Sequence, residues 1–175
     1  MVSRAGLVAA VCLLLLSGCA AFQPGTPPTN GSPAAAATDG TTATPADGYE
    51  RTTVTFVDEN GTELATVRVR IADTTIKRYI GLSNTESLDA GEGMLFVHES
   101  EGTHAYVMRK MDFPLDIVFV DASGTVTTVH HAPLPSGEGD LKRYRGRGKY
   151  VVEVPMGYAN ETGISAGDRM VIGER

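Results

Sequence analysis

Asp116 is the side chain best placed for acid–base chemistry, because it lies in the apolar run Leu115–Val120. The other five residues of the run are apolar, and apolar residues at both odd and even positions predict a strand buried on both faces. A buried carboxylate can act as a general acid or base, and with Glu153 as a second acid it would suit a hydrolase-type or carbohydrate-acting enzyme. Alternatively, Asp116 is structural: it accepts backbone N–H groups and fixes the turn at Pro114. Asp168 is expected to order a turn in the same way.

Four histidines raise the question of a copper or zinc site. His98 and His104 flank a predicted turn, so their imidazoles could approach each other and bind a metal ion. His130 and His131 are adjacent, and neighbouring side chains of a strand point to opposite faces, so both cannot readily ligate one ion. Methionine thioethers could add copper(I) ligands, but methionine more often fills gaps in a core. The methionines concerned are Met94, Met108, Met111, Met156 and Met170.

A basic segment, KRYRGRGK at 142–149, holds five basic residues in a chain whose formal net charge is −6. Its two glycines predict a flexible, solvated loop. Arg143 and Arg145 are candidate contacts to anionic lipid, an acidic glycan or an acidic protein.

Several other functions are excluded. The chain has no Gly-x-Ser-x-Gly elbow and no phosphate-binding loop, and Gly102 stands where a zincin helix would need its second histidine. Both cysteines, Cys12 and Cys19, precede residue 20, so the rest of the chain cannot perform thiol catalysis. A sequence pI of about 5.2 argues against general nucleic-acid binding. No cofactor is predicted.

The N-terminus predicts export and membrane attachment. Arg4 precedes the twelve apolar residues 5–16, a run too short to span a membrane and typical of a signal peptide. It ends in Leu16-Ser-Gly-Cys19, which resembles the lipobox of lipoproteins, so residues 1–18 would be removed and Cys19 would carry the lipid. The protein is then anchored to the outer face of the cytoplasmic membrane. An ordinary signal peptide cleaved elsewhere is the alternative.

Residues 20–48 predict a disordered stalk, since 24 of these 29 residues are Ala, Thr, Pro, Gly or Ser. The 30 residues 19–48 thus comprise the lipidated cysteine and its stalk, and residues 49–175 form one globular domain.

The domain predicts a mostly β fold, a small α+β domain built as a compact antiparallel or mixed β barrel or sandwich. A short helix should begin after Asp73 or Thr74, end at Gly81 and pack on the sheet through Ile76, Tyr79 and Ile80. A second helical turn is expected near 157–162. Strands are predicted at 53–57, 63–71, 94–97, 105–108, 115–120, 126–130, 150–154 and 169–172.

These residues resemble the domain of unknown function 192 (DUF 192) family over nearly the whole domain. The segments that carry the resemblance are Ile71-Ala-Asp73, Gly81-Leu82, Gly91-Glu-Gly93-Met94-Leu-Phe96, Met108-x5-Pro114-Leu-Asp116, Tyr150–Val154 and Gly167-Asp168. The resemblance implies a small mostly β domain, often behind a signal peptide, with no established activity. Where family members commonly show Trp-Met-Lys-Asn, this chain has Val107-Met108-Arg109-Lys110, so a pocket lined by that Trp and Asn would be altered.

Three hypotheses remain open. The favoured one is a non-enzymatic, tethered module of the cell envelope that binds a small molecule, a glycan or an envelope protein. Its contacts would lie on a concave face near Met108, Arg109, Asp116 and His130, or on the basic segment. The alternatives are a hydrolase centred on Asp116 and a metal-handling lipoprotein that uses His98 and His104.

Overall fold

The computed structural model describes residues 48–137, 139 and 141–174, so the predicted signal peptide, Cys19 and nearly all of the stalk lie outside the described residues. The fold is mostly β, as predicted. Among the described residues no helix is long and apolar enough to cross a membrane. The elements are β1 (Arg51–Val57), β2 (Glu63–Ala72), α1 (Thr75–Ile80), β3 (Glu92–Tyr106), β4 (Leu115–Val120), β5 (Val126–Ala132), β6 (Tyr144–Pro155), α2 (Tyr158–Thr162) and β7 (Arg169–Ile172).

The seven strands form one sheet in the order β5-β4-β6-β3-β2-β1-β7. Only the β2–β3 pair is parallel, and α1 lies in the connection between these two strands. An isolated bridge between Thr125 and Arg169 links the start of β5 to β7, so the two ends of the sheet approach each other. The sheet is therefore a curled half-barrel rather than a sandwich.

The predicted β1–β2 hairpin is confirmed. Its turn is held by the Asp58 carboxylate, which accepts hydrogen bonds from the backbone N–H groups of Asn60 (2.8 Å) and Thr62 (2.7 Å). An aspartate that bonds the backbone two residues on is a common way to close such a turn.

The separate strands predicted at 94–97 and 105–108 are instead one long strand, β3. Val97 pairs with Tyr150 and Gly102 with Gly148, so β3 advances five residues while β6 advances two. The polar residues between Val97 and Gly102 are accommodated as a bulge because β6 pairs with β3 on both sides of them. Met108 lies beyond the end of the strand.

Most of the basic segment, residues 144–149, forms the first half of β6 rather than the flexible loop that the sequence predicts. Its glycines allow close packing: a Cβ on Gly146 would lie 2.3 Å from Cγ of Phe119, and one on Gly148 would lie 2.7 Å from the backbone oxygen of Val120. Gly146 and Gly148 are buried, and the side chains that alternate with them, Arg145 and Arg147, face solvent.

The two faces of the sheet pack two separate cores. Val118 and Val152 belong to one core, and Ile117 and Val151 belong to the other. All six residues of β4 are buried, as their apolar pattern predicts, although β4 is second from the edge rather than central.

Helix α1 begins as predicted and packs differently. The Thr74 hydroxyl accepts a hydrogen bond from the N–H of Lys77 (3.2 Å), and Gly81 ends the helix. Ile76 and Tyr79, expected to face the sheet, are 72% and 70% exposed. Arg78 instead ties this short helix to β3, since its guanidinium donates to the backbone oxygen of Val97 (2.9 Å).

Candidate functional site

Asp116 is fully buried, and three groups lie within hydrogen-bonding distance of its carboxyl oxygens. Oδ2 accepts hydrogen bonds from the N–H groups of Gly157 (3.0 Å) and Ala159 (2.9 Å), in the first turn of α2. Oδ1 lies 2.6 Å from Nδ1 of His131. The carboxylate thus caps α2 and is fixed by backbone donors. These donors belong to α2 rather than to the turn at Pro114.

Asp116 and Glu153 cannot work as a pair of acids on one substrate. Asp116 pairs with Val154 across the β4–β6 ladder, whereas Glu153 pairs with Ile117. Directly paired residues share a face and successive residues alternate, so the two carboxyl groups point to opposite faces of the sheet.

The residues expected to share a concave face are not brought together. Met108 lines a cleft of about 440 Å³ beside residues 133–137, and Asp116 faces α2. Nε2 of His130 lies 2.8 Å from the backbone oxygen of Arg145. Of the predicted binding residues, Arg109 alone borders the larger cavity described next.

That cavity, the α1–β3 pocket, has a volume of about 520 Å³ and lies where α1 and the loop after β3 cover the sheet. Small-ligand sites span about 300–1,000 Å³ and combine an apolar lining with a few convergent polar groups. Its apolar floor includes Leu82, Phe96, Met111 and Leu115, and its polar lining includes Arg78, His98, His104, Tyr106, Arg109 and Glu153.

Glu153 is the buried acid of the pocket. It is 7% exposed, and burial raises its pKa to about 8, so its carboxyl group is protonated at neutral pH. Tyr106 beside it keeps its proton as well, because burial and then the charge of Glu153 raise the pKa of its hydroxyl. The pocket therefore presents two neutral O–H groups.

His98 and His104 meet across the β3 bulge, as their positions predict, but they stack. Their rings are 3.5 Å apart and within 8° of parallel, so their nitrogen lone pairs lie in parallel planes and do not converge on one ion. Nε2 of His98 is 2.9 Å from the Tyr106 hydroxyl, and the buried Nε2 of His104 has no hydrogen-bond partner among the described residues. Burial, then the charges of His104 and Arg78, lowers the pKa of His98 to about 4.

No group of three or more His, Cys, Asp or Glu side chains that could hold a metal ion occurs in the described part of the chain. The exposed arginines of the basic segment, Arg143, Arg145 and Arg147, lie outside the pocket lining. Arg147 is paired with Glu101 at 2.7 Å.

Glu153 and His98 give protein stability a defined pH dependence. Folding raises the pKa of Glu153 from 4.5 to about 8, so the folded protein holds a proton that the unfolded chain has released, and stability falls as pH rises. Folding lowers the pKa of His98 from 6.5 to about 4, which has the opposite sign. The two slopes oppose each other between pH 4.5 and 6.5.

Above pH 6.5 only the Glu153 slope remains. We expect the free energy of unfolding, measured in urea, to fall by up to about 2 kcal/mol between about pH 6.5 and 8. Glu153→Gln should remove this fall. His98→Gln is the control, because it should move the start of the fall down to about pH 4.5. A fall that persists in Glu153→Gln would assign it to another group.

The sequence pointed to Glu153 only as a partner of Asp116 and did not single out Tyr106 or Arg78. The signal was present in part: Glu153 interrupts the apolar run Tyr150–Val154. The run itself does not show that α1 and the loop after β3 cover the face of the sheet on which Glu153 lies.

The chain is similar to known proteins in sequence and in fold. The sequence model of the DUF192 family, described as Uncharacterized ACR, matches residues 55–172. A UPF0127 protein from Thermococcus sibiricus (strain DSM 12597 / MM 739) is 29% identical over 113 residues, which cover 60% of this chain and 66% of that protein.

Two solved structures are similar, each 27% identical in sequence. One, from Sinorhizobium meliloti 1021 and described as a candidate transcription regulator, has a TM-score of 0.64 and covers 71% of this chain and 95% of its own. The other, a protein of unknown function from Novosphingobium aromaticivorans DSM 12444, has a TM-score of 0.65 and covers 73% and 89%.

Proposed function

The chain belongs to the DUF192 family of uncharacterized proteins, and from that premise we propose that its domain is a small-molecule-binding module of the cell envelope, tethered to the membrane through Cys19. The observation that carries the binding role is the α1–β3 pocket, in which buried polar groups line a cavity with an apolar floor. A non-enzymatic role is supported by Asp116, whose carboxylate is occupied by the first turn of α2.

The pocket also contains two of the three departures from the family pattern. Val107 and Arg109, at positions where relatives commonly show Trp and Lys, both line it. A smaller side chain at 107 leaves more room in the pocket. This chain therefore suits a ligand that differs in size from those of relatives with the Trp.

Titration of the wild-type protein provides a direct test, with binding followed by saturation-transfer NMR of the ligand. We expect a saturable signal with at least one of 3-phenylpropionate, 3-phenylpropionamide and 3-phenylpropanol. Fragments of about eleven non-hydrogen atoms should bind with a Kd near 1 mM. Val107→Trp should weaken this binding because its larger side chain fills part of the pocket. Val171→Trp, on the exposed side of β7, is the control and should bind like the wild type. Absence of a signal from the wild type with all three fragments would contradict the binding role.

If Cys19 carries the lipid, replacing Cys19 and replacing Cys12 should affect membrane attachment differently. Cys19→Ser should move the full-length protein from the membrane fraction to the soluble fraction, because the lipid-bearing thiol is lost. Cys12→Ser should stay in the membrane fraction, since Cys12 belongs to the segment that is removed. Fractionation and detergent-phase partitioning of the two variants measure this, and equal behaviour of the two would contradict lipidation at Cys19.

A further inference from the structure

The α1–β3 pocket carries two positive charges with no acidic partner. The Arg78 guanidinium donates to the backbone oxygens of Asp73 (2.6 Å) and Val97 (2.9 Å), and that of Arg109 to the backbone oxygen of Tyr79 (2.6 Å). Among the described residues, neither forms an ion pair with a carboxylate. Carbonyl oxygens fix the positions of these groups and leave their full charges uncompensated.

No acidic side chain of the pocket lining neutralises these charges. Glu153 is the only carboxyl group in that lining, and it is protonated at neutral pH. The charge of Arg78 also reaches the interior: after burial and the charge of His104, it contributes to the lowered pKa of His98, and it opposes the rise that burial and Glu153 give the pKa of Tyr106. The pocket is thus a positive region in a chain whose formal net charge is −6.

We propose that the α1–β3 pocket takes a small organic carboxylate, whose charged group lies against Arg78 and Arg109 and whose apolar body lies on Leu82, Phe96 and Leu115. This inference rests on the proposed binding function and names its ligand class. Planar guanidinium groups match the geometry of a carboxylate, and the floor favours an apolar body.

The arrangement assigns each polar group a task. Arg109 is held in place by the Tyr79 ring, whose centroid is 4.1 Å from the guanidinium carbon. Among the described residues its guanidinium, which has five N–H donors, donates to the Tyr79 backbone oxygen alone. The protonated carboxyl of Glu153 can donate a hydrogen bond to the ligand, whereas an ionised carboxylate there would repel it. These groups favour an anion over a neutral molecule of the same shape.

The experiment compares 3-phenylpropionate with the isosteric 3-phenylpropionamide at pH 7, by ligand-observed NMR titration of the full-length wild-type protein. We expect the carboxylate to bind at least about tenfold tighter. Arg109→Gln should remove most of this preference. Arg143→Gln is the matched control, because it removes the same charge from an exposed position outside the pocket lining.

The outcomes separate the ligand class from the binding function. Equal affinity for the amide and the carboxylate would overturn the ligand class and leave a pocket that binds neutral molecules. If neither fragment binds and 3-phenylpropanol does not bind either, the ligand class and the binding function are both wrong. Displacement of 3-phenylpropionate by equimolar inorganic phosphate would show that the apolar body contributes nothing, and would overturn the proposal for organic carboxylates.

Discussion

Replacing Asp116 by alanine is expected to lower the free energy of unfolding by about 3–5 kcal/mol. The substitution leaves the N–H groups of Gly157 and Ala159 without their acceptor and removes the partner of His131. Because Ala159 is buried, water cannot replace the lost acceptor there without opening the structure. Urea unfolding followed by circular dichroism measures the loss.

Asp116→Asn tests the capping role by itself, because it removes the carboxylate and keeps an oxygen that can cap α2. One oxygen, Oδ2, accepts both backbone N–H groups, so an asparagine oxygen can replace it, and the cost should be about 1–2 kcal/mol. Asp58→Ala is the matched control: Asp58 also accepts two backbone N–H groups, but in an exposed turn, so the loss should stay near or below about 1 kcal/mol. Equal losses for Asp116→Ala and Asp58→Ala would show that burial of Asp116 does not matter.

Gly146→Ala is expected to destabilise the protein by about 2–3 kcal/mol, although alanine is ordinarily the better strand residue. The added Cβ would lie 2.3–2.6 Å from three carbons of the Phe119 ring, a distance that forces the ring or the strand to move. The ring is fully buried in the core that includes Ile117 and Val151, so it has little room to move. Thermal and urea unfolding of the variant measure the effect.

A second substitution tests the cause. If contact with the ring causes the loss, then Gly146→Ala combined with Phe119→Leu should cost less than the sum of the two single changes. Gly137→Ala is the control, because its Cβ meets nothing within 4 Å, and it should change stability by no more than about 0.5 kcal/mol. If the effects of Gly146→Ala and Phe119→Leu simply add, the loss of stability in Gly146→Ala comes from backbone geometry rather than from contact with the ring.

Local signals account for the elements that the sequence could predict. The β1–β2 hairpin follows from alternating apolar residues around a turn that Asp58 closes, and the start of α1 follows from the capping hydroxyl of Thr74. The burial of β4 follows from the apolar residues on both of its faces, which Asp116 alone interrupts. In each case the deciding signal lies within a few residues of the sequence.

The incorrect predictions concern features that depend on distant partners. Most of the basic segment forms a strand because it pairs with β3, which lies 38 residues earlier in the pair Tyr106–Tyr144. Composition does not indicate this partner. Ile76 and Tyr79 have the spacing of a buried face, but the six-residue helix is held by the Arg78 guanidinium instead. Residues near Asp116 in the chain likewise do not reveal that its donors lie in α2.

The pairing of β1 with β7 has a consequence for the order of folding. Val54 pairs with Ile172, so β1 completes its ladder with a strand that leaves the ribosome 118 residues later. Contacts between such distant residues carry a large entropic cost of closure, and folds dominated by them fold in milliseconds to seconds rather than microseconds. Until β7 is synthesised, the edge of β1 that it covers is exposed, and incomplete chains would be open to pairing with one another there.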